Sequence, residues 1–157
     1  MFTIGDCVAY PMHGAGRNAA MEVKNILGEE RRYFVLQFPT GDMRVLVPVD
    51  SAQESGLRAV IPAEEGHAVL ASLSVECPEE TTNWNRRYRE NLEKMRTGDI
   101  YDVAGVVRSL TVRDRTRGLS TGERKMLVTA VHILASELIL SLGLSEAEVL
   151  DLIEHAV

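Results

Sequence analysis

Two rhythms of hydrophobic and polar residues divide this chain, and the change falls near residue 62. Before it, short runs alternate between apolar and polar positions, as half-buried strands do; after it, apolar residues recur every three or four positions, as in helices. Residues 2–10 alternate around a Gly5-Asp6 turn and stop at Pro11, and His13-Gly14-Ala15-Gly16 is a glycine-rich corner. Tyr33-Phe34-Val35-Leu36-Gln37-Phe38 is bounded by Gly28-Glu29-Glu30 and by Pro39-Thr40-Gly41-Asp42, after which Met43-Arg44-Val45-Leu46-Val47 pairs back as a hairpin. Residues 17–27 are ambiguous, because Ala19-Ala20-Met21-Glu22-Val23-Lys24 favours helix and only the flanking strands favour strand. Such punctuation predicts a small, strongly bent sheet or barrel.

The helical part divides at its caps. Residues 63–73 predict a first helix, broken by Cys77-Pro78-Glu79-Glu80. A second starts at Trp84, with Asn83, Thr81 or Thr82 as N-cap, and closes near Gly98. Asp99 caps a third, which buries Ile100, Val103, Ala104, Val107 and Leu110 and ends at Gly118. Ser120-Thr121-Gly122-Glu123 is a capping box opening a long fourth helix, with Met126, Leu127, Ala130, Val131, Leu134 and Leu138 inward and a stop at Gly143. Ser145-Glu146-Ala147-Glu148 opens a fifth, carrying Val149, Leu150, Leu152 and Ile153. The predicted fold class is therefore α+β in two modules: a β module over residues 1–55, a linker over 56–62 and a bundle of about five helices over 63–157.

Composition adds limits. An apolar fraction of 45% over 157 residues is that of a globular chain. No basic stretch followed by an apolar block stands at the N-terminus, and the apolar segment 126–140 is interrupted by Thr129, His132, Ser136 and Glu137. No signal peptide and no membrane span are expected, and the predicted location is the cytoplasm. Cys7 and Cys77 lack metal-ligand or redox spacing and read as free thiols. Net charge is −6, yet its distribution is uneven: residues 1–78 carry −4, residues 79–125 carry +3 and residues 126–157 carry −5. Over 86–125 alone the balance is +5. A local positive field on an acidic protein predicts weak, salt-sensitive binding to nucleic acid that needs a second anchor.

Enzyme chemistry finds little support. Gly14-Ala15-Gly16-Arg17-Asn18-Ala19 fits the G-x-G-x-x-A dinucleotide pattern, but Pro11 sits in the preceding strand and no second βα unit follows. His13, His67, His132 and His155 show no metal spacing, and His132 reads as a hydrogen-bonded boundary residue. The aromatics Tyr10, Tyr33, Phe34 and Phe38 fall in alternating strands, which makes them core more often than a methyl-lysine cage. No catalytic residue, cofactor, metal or small-molecule substrate is predicted.

The remaining candidate is Asn83-Trp84-Asn85-Arg86-Arg87-Tyr88-Arg89, which holds the only tryptophan and three arginines. At helical spacing Trp84, Tyr88, Leu92 and Met95 share one stripe, while Arg86, Arg89 and Glu93 share another face. Arginines hold phosphates and a flat ring wedges between bases. The same pattern also describes a core stripe beside a solvated charged face, or a protein–protein adaptor using the Trp84 face.

Motifs along the whole chain resemble the CarD/CdnL transcription regulators. Phe2-x-Ile4-Gly5-Asp6, Tyr10-Pro11-Met12-His13-Gly14-Ala15-Gly16, Ile26-Leu27-Gly28-Glu29 and Gly41-Asp42-Met43 look like that family's N-terminal module. Trp84-Asn85-Arg86-Arg87-Tyr88, Gly98-Asp99-Ile100-Tyr101, Val106-Val107-Arg108-x-Leu110 and Arg117-Gly118-Leu119-Ser120-x-Gly122-Glu123-Arg124-Lys125-Met126-Leu127 resemble its helical module. The resemblance implies a non-enzymatic partner of bacterial RNA polymerase, nucleoid-associated through it. Its Tudor-like N-terminal module would dock on the lobe of the polymerase β subunit. Its helical module would meet promoter DNA at the upstream edge of the melted bubble, where Trp84 wedges into the minor groove and stabilises the open complex. By position the backbone-contacting residues would be Arg86, Arg89 and Arg124, assisted by Arg87 and Lys125, and the polymerase-facing ones Lys24 and Leu46 beside Arg44. Leu46 stands where the family usually has a basic residue, and Arg17-Asn18 where it usually has an apolar pair.

Overall fold

The computed structural model describes residues 2–41, 43–76 and 82–157. The expected Cys77-Pro78-Glu79-Glu80 break, the thiol of Cys77, the Thr81 cap and the Asp42 half of the hairpin turn lie outside the described residues. Strands β1 (Cys7–Tyr10), β2 (Gly14–Ile26), β3 (Glu29–Gln37), β4 (Arg44–Pro48) and β5 (Arg58–Ala59) form one antiparallel sheet in the order β4-β3-β2-β1-β5. Helices α1 (Ala63–Ser72), α2 (Trp84–Arg96), α3 (Ile100–Thr116), α4 (Thr121–Leu142) and α5 (Glu146–Ala156) follow. The α+β class and its order of modules are as expected.

The ambiguous segment is strand. Nine residue pairs from Arg17↔Gln37 to Ile26↔Glu29 tie β2 to β3, so cross-strand pairing overrides the helix propensity of residues 19–24. The register shifts between Asn18 and Ala20. There Asn18 is buried, and its amide donates to the Thr3 carbonyl at 3.1 Å while Arg17 donates to Gly5 O at 3.2 Å. The unusual Arg17-Asn18 pair thus staples β2 to the opening turn instead of packing as apolar core.

The segment expected to be linker is partly sheet. β5 pairs with β1 through Val8↔Ala59 and Ala9↔Arg58, so the first module runs past residue 55. Val8, Phe34, Leu36, Val47, Ala52 and Leu57 form its core. Phe38 is also buried, edge-on to His132 at 6.1 Å, and Tyr10 packs against the core that holds Phe34. His132 Nδ1 also lies 3.4 Å from Thr40 Oγ1, the hydrogen bond of a boundary residue.

The bundle core gathers Val69, Leu73, Met95, Val103, Val107, Leu110, Ala130, Leu134, Leu138 and Val149. Asn83, Asp99, Ser120 and Ser145 are the N-caps of α2 to α5, and both capping boxes form. Met126, Ala130, Leu134 and Leu138 are buried as expected, whereas Leu127 and Val131 are only partly so. Ile133, Ser136 and Glu137 are buried too, because α4 packs against β2 on one side and α3 on another. By length and composition α4 is the one described helix able to cross a membrane, but here it is the spine of the bundle.

Direct bonds join the modules. Arg58 grips Glu137 with two hydrogen bonds, at 2.7 and 2.8 Å, and its Nε donates to Gly98 O at 3.0 Å. Burial opposes the Arg58 charge, but hydrogen bonding and attraction to Glu137 outweigh it and hold the guanidinium above its usual pKa. The Ile61 amide adds a bond to Glu137 Oε2 at 3.1 Å, and the Ala15 amide donates to Ser136 Oγ at 2.9 Å. The Gly14-to-Ala19 segment is accordingly the start of β2, seated against α4, and no phosphate loop. Gly14 has φ of +106°, and a Cβ there would stand 2.7 Å from Ser136 Oγ. A Cβ on Gly16 would meet Gln37 O at 2.9 Å. Gly14→Ala is expected to destabilise the fold by roughly 1–3 kcal/mol, through left-handed strain and loss of the Ala15–Ser136 bond. A urea midpoint equal to that of the parent protein would contradict this close contact.

Candidate nucleic-acid interface

The start of α2 and the start of α4 meet at Trp84. Asn83 places the helix by accepting the Arg86 amide at 3.1 Å, which turns the first side chain of α2 toward the first turn of α4. The indole stacks on Tyr88 with centroids 5.0 Å apart and planes 15° from parallel. Its Nε1–H donates to Ser120 Oγ at 3.0 Å and to Glu123 Oε1 at 3.2 Å. Even so, Trp84 is 41% exposed, so the ring lies on the surface and not inside the bundle.

Glu123 is the centre of this arrangement. It is 2% exposed, and its Oε2 accepts Arg87 Nε at 3.0 Å while Arg113 Nε stands 3.9 Å away. The Ser120 hydroxyl donates to Oε1 at 3.1 Å. Burial pushes the Glu123 carboxyl up, but hydrogen bonds from Arg87 and Ser120, with the Arg87 charge, outweigh it, so the group titrates below the ordinary carboxylate value. A depressed folded-state value means that its stabilisation is complete above the unfolded value of about 4.3 and is lost as pH falls through the folded one. Tryptophan emission is therefore expected to stay constant from about pH 7 to 5 and to change only below about pH 4. A transition centred above the ordinary carboxylate value would contradict this pairing.

Arg87 was expected to assist DNA contact, and the structure corrects this. Arg87, Asn91 and Met95, not Trp84 and Tyr88, form the fully buried line of α2. At 3% exposed, Arg87 is spent on the ion pair with Glu123 and does not reach the surface. The partner lies 36 residues away, which helical spacing could not reveal.

The other arginines are outside. Arg86 is exposed and paired with Glu90 at 3.0 Å, a surface i,i+4 bridge that costs little to open. Arg89 and Lys125 are exposed, and Arg124 sits one residue beyond Glu123, 3.8 Å from Asp114. Arg86 and Arg89 are thus exposed on a different face of α2 from the ring, and Arg124 and Lys125 are exposed near the start of α4.

The second group of candidates is on the sheet. Antiparallel partners share a face, and side chains alternate along each strand. From the registers Leu46↔Val35↔Ala20 and Lys24↔Arg31, Lys24, Arg44 and Leu46 all belong to one face. Lys24 and Arg44 are exposed, and Arg44 Nε donates to Gln37 Oε1 at 2.9 Å; Leu46 is half-buried. The structure brings these three onto one surface, separate from the Trp84 group.

Comparison with known proteins agrees with both modules. Residues 2–61 match the family model described as the CarD-like/TRCF RID domain, and residues 68–154 match that of the CarD C-terminal domain. A Bacillus subtilis (strain 168) protein named "Putative transcription factor YdeB" is 34% identical over 149 residues, 95% of this chain and 97% of that protein.

Proposed function

This chain belongs to the CarD family, and from that premise we propose that it regulates transcription by docking on the β-subunit lobe of RNA polymerase and holding promoter DNA open with Trp84. The observation that carries the reading is the partly exposed Trp84, stacked on Tyr88 and hydrogen-bonded to Ser120, at the meeting of the two helix starts that also carry the exposed Arg86, Arg89, Arg124 and Lys125. Those cations supply phosphate contacts that position the module without reading sequence. The ring supplies a wedge at the upstream edge of the bubble, where a step already partly unstacked is cheapest to prop apart. Specificity then comes from the deformability of that junction. The acidic remainder of the molecule, net −6, makes free binding to DNA weak, so polymerase has to deliver it.

The docking face is the sheet surface of Lys24, Arg44 and Leu46. Reversing charge, as Lys24→Glu or Arg44→Glu, is expected to weaken capture by an isolated β lobe roughly tenfold, the loss of one charged contact. Unchanged capture of both variants would remove this face from the interface. A fluorescence titration of Trp84 with forked promoter DNA tests the whole proposal: the response is expected with polymerase present and to be small without it. A polymerase-independent signal, or none, would refute delivery by tethering.

A further inference from the structure

Resting on the wedge reading of Trp84, we propose that Glu123 is a positioning residue for that ring, its buried carboxylate holding the indole by the N–H edge so that the outer part of the ring stands ready to insert. Oε1 accepts the indole N–H at 3.2 Å, the Ser120 hydroxyl at 3.1 Å and Arg87 Nη2 at 3.4 Å, while Oε2 accepts Arg87 Nε at 3.0 Å, with Arg113 Nε 3.9 Å away; the indole N–H is shared with Ser120 Oγ at 3.0 Å. The acceptor is thus buried and bonded to one guanidinium, with a second nearby. Tyr88 fixes the plane of the indole, and Glu123 with the Ser120 hydroxyl it holds fixes its edge, so both side-chain torsions are restrained. The first turn of α4 is also the floor beneath the rings: a methyl on Gly122 would stand 3.5 Å from Tyr88 and 3.6 Å from Trp84.

The chain contains its own comparison. Ser145 and Glu148 form the same capping box at α5, yet Glu148 is exposed and, among the described residues, its carboxylate bonds within that cap alone. Capping a helix therefore does not require burying the glutamate or surrounding it with arginines. The burial of Glu123 serves the groups that reach it from other helices, and Trp84 is the one among them that is 41% exposed. A ring already ordered in the free protein avoids the cost of immobilising one side chain at the moment of insertion.

Because the chain has one tryptophan, replacing tryptophan throughout by 3-benzothienylalanine exchanges only this N–H for sulfur and leaves Glu123, Ser120 and Arg87 in place. The substituted protein, assayed with polymerase and promoter DNA, is expected to shorten open-complex lifetime by roughly 2- to 10-fold, the cost of ordering one side chain. In parallel, Glu123→Gln is expected to shift the single indole N–H resonance of the free protein and to speed its exchange with solvent. Trp84→Ala is the reference. If Trp84→Ala shortens the lifetime while the sulfur analogue matches the parent, Glu123 does not position the ring and the wedge reading stands. If Trp84→Ala itself leaves the lifetime unchanged, the wedge reading falls and this proposal with it. Should Glu123→Gln fail to fold, the analogue decides alone, since it alters no buried charge.

Discussion

Trp84→Ala is expected to shorten the lifetime of the open promoter complex by roughly 10- to 100-fold, with binding to polymerase unchanged. A wedge must offset unstacking worth roughly a few kcal/mol per step, and each 1.4 kcal/mol is tenfold in an equilibrium. The alanine variant keeps the cations on α2 and α4 and the whole sheet face, so only the insertion term is removed. Tyr88 loses its stacking partner, but Trp84 is 41% exposed and outside the bundle core, so the fold is expected to persist. The measurement is dissociation of a preformed promoter complex under competitor challenge, alongside capture by the β lobe. Equal lifetimes would sink the proposed mechanism; loss of lobe capture would show that the variant had damaged the sheet instead.

Arg58→Ala is expected to cost about 3–5 kcal/mol, because it leaves Glu137 as a buried charge without its main counter-ion. Glu137 is 1% exposed and takes both Arg58 nitrogens plus the Ile61 amide. Stabilities of single domains are about 5–15 kcal/mol, so this is a large fraction of the whole. The double variant Arg58→Met, Glu137→Leu is expected to recover most of the loss, since replacing both members with apolar side chains removes the stranded charge. Urea denaturation followed by circular dichroism reads both. A single variant within about 1 kcal/mol of the parent would show that the pair contributes no more than a surface bridge.

What could be read from the sequence was local. Asn83, Asp99, Ser120 and Ser145 announce their helices because a cap and the amides it satisfies lie within four residues of each other. Trp84 could be found because an aromatic beside three arginines is legible in one stretch, and the family motifs sit in such stretches. The features that escaped depend on partners distant in the chain. Arg87 read as one more surface cation because Glu123 is 36 residues away. Arg58 read as linker because its strand is two residues long and its ion-pair partner is 79 residues away. The burial of Ile133, Ser136 and Glu137 was hidden for a similar reason: one apolar stripe on α4 accounts for a helix with one covered side, whereas this one has the sheet on another. Residues 19–24 looked helical because propensity is a property of the segment, while the ladder to β3 belongs to the pair of strands.

The Arg58–Glu137 grip and the seating of Gly14 on α4 bolt the sheet to the bundle. The sheet face of Lys24, Arg44 and Leu46 and the indole on the bundle therefore belong to one bonded framework. Successive nucleotides in a strand are spaced by about 3.4 Å. If the sheet docks and the indole wedges as proposed, the ring is expected to favour one step of the promoter over its neighbours, and a junction displaced by a single base pair is met by twisting or bending the DNA.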